Sequence, residues 1–433
     1  MVLNIAAIEL NKVILSNNLA VFDLLSEKGK GMYYPSKGIP AQSAEAKGKE
    51  IDATIGMAID ENSSPLVLEL IAKEVSLSKK DIFNYSSSFG NNELREVWKK
   101  MIFKKNPSLN SEISLPIVTG ALTHGLNLCA FLFVNENDSI IMPNLYWGNY
   151  KLIFSNWFGG KINTFEMFKG NEFNLDGLKE KLDSISGKKI VLLNFPNNPT
   201  GYSLTLSEAD KIVELLKEDA EKGNKLLVLV DDAYFGLVYK EGIFKESLFS
   251  KLSNLHENLL AVKIDGPTKE DFVWGFRIGF LTFGIKNGSK EFYSALESKV
   301  AGAIRASVSN LSTISQSLLL KAYSSKDYAS QKQENFSLLK KRFEEVNKVL
   351  ENKKYLEYFE VLPYNSGYFM CIKPKKPLES EKLRKILLQE YSTGVISQGD
   401  LLRIAFSATK TSSIEKLFDN IYNACKSEMH SIK

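Results

Sequence analysis

Six apolar runs spaced by helical periods constrain this chain more than any other feature. They fall at residues 115–119, 139–142, 189–195, 226–231, 259–264 and 276–283. Helical periodicity fills the intervals, as at 121–133 and 207–220. The second of these opens with Thr205-Leu-Ser-Glu208, where a hydroxyl and a carboxylate reciprocally cap backbone amides and fix the helix start. A half-exposed strand alternates apolar with polar residues. These runs do not alternate, so both faces of each strand must be covered. The fold class expected is α/β: a mostly parallel central sheet with helices on both faces.

A chain of 433 residues is also too long for one small core. Past residue 310 the pattern changes. Phe336, Leu339, Phe343, Val346 and Leu350 share one face of a long helix. Strand-like segments at 359–372 and 401–406 then bracket a helix near 379–391, and a last helix is expected at 413–427. This reads as a smaller α+β domain. Ahead of the sheet region lie an amphipathic stretch at 6–25, a Gly/Pro/Ser-rich run at 29–40, a short strand at 51–57 and a helix at 65–75. The expected division is 1–64 as an N-terminal arm and part of the small domain, 65–308 as the large domain, and 309–433 as the small C-terminal domain.

Composition narrows the function classes. The net charge of +4 is spread out, with no basic run interleaved with aromatics, so nucleic acid is not expected as a partner. Three cysteines, Cys129, Cys371 and Cys425, stand far apart in apolar contexts and read as reduced thiols of a cytoplasmic protein. Three histidines without metal-ligand spacing argue against a metal site. No signal-peptide pattern opens the chain, and no apolar run approaches the ~18 residues that would suggest a membrane span.

In parallel sheets ligands bind beyond the carboxyl ends of the strands, and polar residues gather there in this sequence. After 115–119 comes Gly120-Ala-Leu-Thr-His-Gly125, a helix start whose free amides and Thr123 hydroxyl suit an anion. After 139–142 comes Trp147, in position to lie flat on an aromatic ring. After 189–195 the rigid octet Asn194-Phe-Pro-Asn-Asn-Pro-Thr-Gly201 presents Asn197 and Asn198. After 226–230 come Asp231-Asp-Ala-Tyr234, and an acid there needs a partner for its charge. Lys269 follows the run 259–264, where burial would lower its pKa and make it a nucleophile. Arg277, between Gly275 and Gly279, enters the last run with the donor fork a phosphate needs. Far downstream, Arg403 in an apolar strand could clamp a carboxylate. A lysine beside a phosphate-binding arginine suggests an aldehyde cofactor that carries a phosphate, and pyridoxal 5'-phosphate fits.

Taken in order, Asn198-Pro-Thr-Gly201, Asp231-x-Ala-Tyr234, Thr268-Lys269 with Arg277 and Gly279, and Leu402-Arg403 resemble the class I/II aminotransferases, fold-type I pyridoxal-phosphate enzymes. The resemblance implies a homodimer with shared active sites, acting on an amino acid and a 2-oxo acid in amino acid metabolism. Carried over by position, it implies that Lys269 bonds the cofactor aldehyde and moves the substrate proton. Asp231 pairs with the ring nitrogen, Asn198 and Tyr234 with the ring oxygen, and Trp147 stacks on the ring. Ala121, Leu122, Thr123, Thr268 and Arg277 surround the phosphate, joined by Tyr85 from the neighbouring subunit. Arg403 and Asn198 hold the substrate carboxylate, and Gly56 lines that pocket.

Two departures stand out. Many relatives carry a serine three residues before the lysine; here Gly266 stands there, leaving Thr268 to supply a hydroxyl. Asp232 beside Asp231 leaves open which carboxylate faces the ring, though the spacing to Tyr234 favours Asp231. The segment Trp147-Gly-Asn-Tyr150 resembles aspartate and aromatic aminotransferases, and Arg305 matches an arginine that reads a distal carboxylate across the dimer. A dicarboxylic or aromatic donor is the expectation; a helix-surface arginine is the competing reading of Arg305. A β-lyase breaking C–S bonds on the same scaffold is the alternative activity.

Overall fold

The computed structural model describes residues 3–33, 38–73 and 77–432. Its centre is a seven-stranded sheet of β1 (Ile117–Thr119), β2 (Ser139–Pro143), β3 (Lys161–Phe165), β4 (Lys188–Asn194), β5 (Lys225–Asp231), β6 (Leu259–Asp265) and β7 (Gly279–Gly284). The spatial order is β1-β7-β6-β5-β4-β2-β3, and β7 alone runs against its neighbours. Because β7 is reversed, its start lies at the same edge as the ends of the other six strands. Residues after β1, β2, β4, β5 and β6 and just before β7 are thereby gathered on one edge.

Helices cover both faces, as the unbroken apolar runs require. Trp98 of α1 (Asn92–Lys105) stacks on Phe280, with centroids 4.3 Å apart and planes 14° from parallel. Gly125 of α2 (Ala121–Phe133) lies against Leu281, 3.7 Å from where a Cβ would sit. Phe280 and Leu281 are successive strand residues and point to opposite faces, so α1 and α2 do too. Helix α3 (Leu206–Glu221) starts where its capping box predicts, with both halves formed between Thr205 and Glu208.

The C-terminal part builds a second, antiparallel sheet from β8 (Phe359–Val361), β9 (Phe369–Pro374), β10 (Ile396–Gln398) and β11 (Leu401–Ala405), in the order β8-β9-β11-β10. Around it lie α4 (Tyr328–Leu350), α5 (Ser380–Glu390) and α6 (Ile414–Ile432). Strand β11 is interior rather than an edge. Ile51–Asp52 pairs in parallel with Thr393–Gly394, so a segment from the start of the chain joins this C-terminal unit. No helix among the described residues is long and apolar enough to cross a membrane.

Several boundaries differ from the sequence reading. The stretch 6–25 forms two helices, Ile5–Asn17 and Leu19–Leu24, broken at Asn18, whose backbone is extended. The helix expected at 65–75 is Glu69–Lys73, and residues 74–76 lie outside the described ones, as do 34–37 of the Gly/Pro/Ser-rich run. The segment 359–372 is two strands separated by a loop. Strand β7 begins at Gly279 instead of 276, because Trp274–Phe276 forms a 3-10 turn and Arg277 adopts φ 53°. Strand β3 escaped notice because it sits at the sheet edge and mixes polar with apolar residues.

Candidate active site

Twelve of the sequence-predicted residues line one cavity of about 670 Å³ at the gathered strand edge: Gly56, Ala121, Leu122, Thr123, Trp147, Asn198, Asp231, Tyr234, Thr268, Lys269, Arg277 and Arg403. Tyr85 and Arg305 do not line it. Tyr85 is 93% exposed, and Arg305, also exposed, donates from Nη1 to Ser309 Oγ at 2.6 Å.

Lys269 sits in the one-turn helix Pro267–Glu270 that follows β6. Its ammonium lies 5.2 Å from the centre of the Tyr234 ring. Burial lowers its pKa, Asp231 raises it and Arg277 lowers it, with the balance at about 8. Asp231 closes β5 and is buried. It accepts from Tyr150 OH at 2.6 Å and from the Ala233 amide at 3.0 Å. Burial raises its pKa against the pull of Tyr150, Lys269 and Ala233. Asp232 faces away from the cavity, bonded to Lys263 and to Ser247 Oγ. Of these two acids Asp231 lines the cavity and Asp232 does not: successive residues at a strand end point oppositely, and the buried Lys263 takes the other one.

The octet 194–201 is organised by its own side chains. Asn194 donates to the Asp231 carbonyl at 2.8 Å and accepts from the Asn198 amide at 2.9 Å, tying the loop after β4 to the end of β5. Gly201, at φ 72°, passes so close to β9 that a Cβ would lie 1.9 Å from the Phe369 carbonyl oxygen. The C-terminal unit docks here, and with it Arg403. Arg403 is buried, donates to Asn198 Oδ1 at 3.2 Å and to the Thr54 carbonyl at 2.9 Å, and lies 4.3 Å from the centre of the Phe369 ring. Among the described residues nothing accepts from its Nε.

At the other end of the cavity, α2 begins at Ala121 behind Gly120, and no side chain among the described residues caps it. Its first-turn amides carry a partial positive charge. Arg277 is exposed there, its fork used only by a 3.1 Å bond to the Trp274 carbonyl among the described residues. Gly266 is packed too tightly for a side chain: a Cβ would lie 2.8 Å from Gly279 Cα and 3.0 Å from the Ile278 carbonyl. Thr268 Oγ1 sits at the cavity wall, 3.4 Å from that carbonyl.

Sequence reasoning missed Tyr150, whose hydroxyl orients Asp231. It stands three residues after Trp147, on the same side of a helical turn, and that spacing was the available signal. It also missed Gln42, which clamps the N-terminal helix Ile39–Ala46 to β10 through bonds to the Ser397 amide and carbonyl of 2.8 and 3.0 Å. Nothing local in the sequence pairs residues so far apart.

Residues 53–421 match the family model described as Aminotransferase class I and II. A probable aspartate/prephenate aminotransferase of Aquifex aeolicus (strain VF5) is 25% identical over 309 residues, 70% of this chain and 72% of that protein. An aspartate aminotransferase of Bacillus subtilis (strain 168) is 26% identical over 286 residues, 64% of this chain and 67% of that one. Among solved structures, an aminotransferase from Anaerococcus prevotii superposes with a TM-score of 0.82 at 26% identity, covering 93% of this chain and 99% of its own.

Proposed function

The chain belongs to the class I and II aminotransferases, enzymes that move amino groups between amino acids and 2-oxo acids, and on that premise we propose that pyridoxal phosphate is its cofactor and Lys269 the amine that holds it. One observation carries this: an amine with a pKa of about 8, a buried acid, an uncapped helix start and two arginines share one cavity. The donor set fits the group. Asp231, buried and oriented by Tyr150, suits a ring N–H. Asn198 and Tyr234 suit the ring oxygen, and Trp147 offers a flat face. The first-turn amides of α2, Thr123, Thr268 and Arg277 suit a phosphate. Arg403, with an unused Nε, suits the substrate carboxylate, beside Gly56.

When bound, the cofactor supplies an electron sink for the bond broken at the substrate Cα. Every other task falls to the chain. Lys269 as the free amine takes the proton from Cα, and a pKa near 8 keeps a useful fraction of base at neutral pH. Arg403 fixes the carboxylate, which holds the Cα–H bond, rather than the bond to the carboxylate, in line for breaking. Burial raises the Asp231 pKa, and Tyr150, Lys269 and the Ala233 amide counter part of that rise by favouring the charged form that suits a ring N–H.

The proposal extends to a division into 1–64, 65–308 and 309–433, and to a cytoplasmic homodimer. The exposed Tyr85 and Arg305 would then serve the partner's site, and the buried free thiols accord with a reducing compartment. The donor is read as a dicarboxylic or aromatic amino acid, after the relatives' names and the segment at Trp147. The test is a visible spectrum of the purified protein, titrated with a panel of amino acids. A cofactor band that converts on addition of the donor, in a species sedimenting at twice the chain mass, supports the reading. Release of pyruvate and ammonia from a cysteine-type substrate without a 2-oxo acid would replace transamination with lyase chemistry.

A further inference from the structure

The turn that carries Lys269 is held from behind by charge. Glu270 and Asp271 follow Lys269 directly; both are buried and neither lines the cavity. Glu270 accepts from Lys105 Nζ at 3.1 and 3.0 Å and from Lys332 Nζ at 2.5 Å. Asp271 accepts from Tyr323 OH at 2.9 Å and Tyr328 OH at 2.7 Å, with Lys332 Nζ 3.0 Å away. On the other side, Tyr368 OH donates to the Lys269 carbonyl at 3.0 Å. Lys105 comes from α1, Tyr328 and Lys332 from α4, and Tyr323 from the helix Thr313–Tyr323.

Two adjacent buried acids are costly unless paired. Burial raises the Glu270 carboxyl, but Lys105 and Lys332 outweigh it and hold it at about 2. Burial likewise lowers Lys332, yet Asp271 and Glu270 carry it to about 12. Glu270 and Lys332 therefore stay charged across the working pH range. An apolar plug would fill the same space without fixing the turn. An ion cluster with short bonds resists displacement, because any shift leaves a buried charge unpaired.

We propose that Glu270 and Asp271 are positioning residues for Lys269, forming with Lys105, Lys332, Tyr323 and Tyr328 a buried anchor that sets where the amine can reach. The proposal rests on Lys269 being the amine that takes up the cofactor. The anchor also ties that amine to the C-terminal unit, since α4 packs Phe343 against Phe406 and Tyr364 there.

The test compares Glu270→Gln, Lys332→Met, Lys332→Arg and Tyr328→Phe with the wild type, all loaded with pyridoxal phosphate. Four quantities are read: kcat, KM, the pH midpoint of the bound-cofactor absorbance, and thermal stability. Misplacement of an amine by a fraction of an ångström should lower kcat at least about 10-fold in Glu270→Gln and Lys332→Met, with KM changed less than about 2-fold. The absorbance midpoint should move in both. Lys332→Arg, which keeps the charge, should restore most of kcat. Tyr328→Phe removes two hydrogen bonds, one donated to Asp271 and one accepted from Lys332 at 3.3 Å, and no charge, so it keeps the question answerable if the charge variants do not fold; a smaller kcat loss with a moved midpoint is expected. Lowered thermal stability with kcat and midpoint unchanged would overturn the anchor. A wild-type absorbance that persists in Lys269→Ala would instead overturn the reading beneath it.

Discussion

Lys269 illustrates how single residues are tuned here by opposing terms. Burial and Arg277 disfavour its charge, Asp231 favours it, and the result lies well below the ordinary value of 10.5, at about 8. The sign of the consequence follows from proton binding. Between about pH 8 and 10.5 the unfolded chain holds a proton at this position that the folded one has released, so stability rises with pH through that window. Below it the folded state carries the full penalty, at most about 3 kcal/mol at ~1.36 kcal/mol per pKa unit. Cofactor-free Lys269→Met should accordingly be more stable than the wild type at pH 7 in denaturant titrations, and the gain should shrink as pH rises from 8 to 10.5. A constant difference would show that the amine is not buried as a charge. The residue types at the site were legible because most of them stand at strand ends, with Arg277 just before β7 and Arg403 inside β11, but their orientation was not. The spacing to Tyr234 favoured Asp231 over Asp232, but the structural reason was not legible: Lys263, which reads in the sequence as part of an apolar run, sits fully buried against Asp232.

At the scale of elements, continuous apolar character marked the buried strands, and a capping box marked the start of α3. Strand β3 was illegible for the complementary reason: it is only partly covered, and Lys161, Asn163 and Thr164 interrupt its apolar residues. The start of β7 was misplaced because Phe276 is apolar but belongs to a turn that turns Arg277 toward the cavity. The same crowding explains Gly266. Strand β7 and the Lys269 turn approach there until no Cβ fits, so Gly266→Ser should cost about 1–3 kcal/mol by overpacking. It should also weaken pyridoxal phosphate binding, since the displaced turn carries Thr268 and Lys269. Thermal unfolding with and without the cofactor checks both effects. An unchanged melting temperature would mean that β7 yields more easily than its packing implies.

For the whole molecule, the sheet edge and the C-terminal unit must come together before the cavity exists. Asp231, Lys269 and Arg277 arise from the large sheet, whereas Arg403 arises from an interior strand of the small one and reaches Asn198 only through the close contact at Gly201. The order of the motifs along the chain made the fold legible. The pairing of Ile51–Asp52 with Thr393–Gly394 and the anchor across Glu270 and Lys332 were not, because they join residues with no shared local pattern. The most direct measurement is chemical: reduce the pyridoxal-phosphate-loaded enzyme with borohydride, digest it, and map the phosphopyridoxyl group by mass spectrometry. One group per chain on the peptide containing Lys269, absent from Lys269→Ala, is the expected result. Label spread over surface lysines such as Lys73, or none at all, would contradict the assignment of this amine.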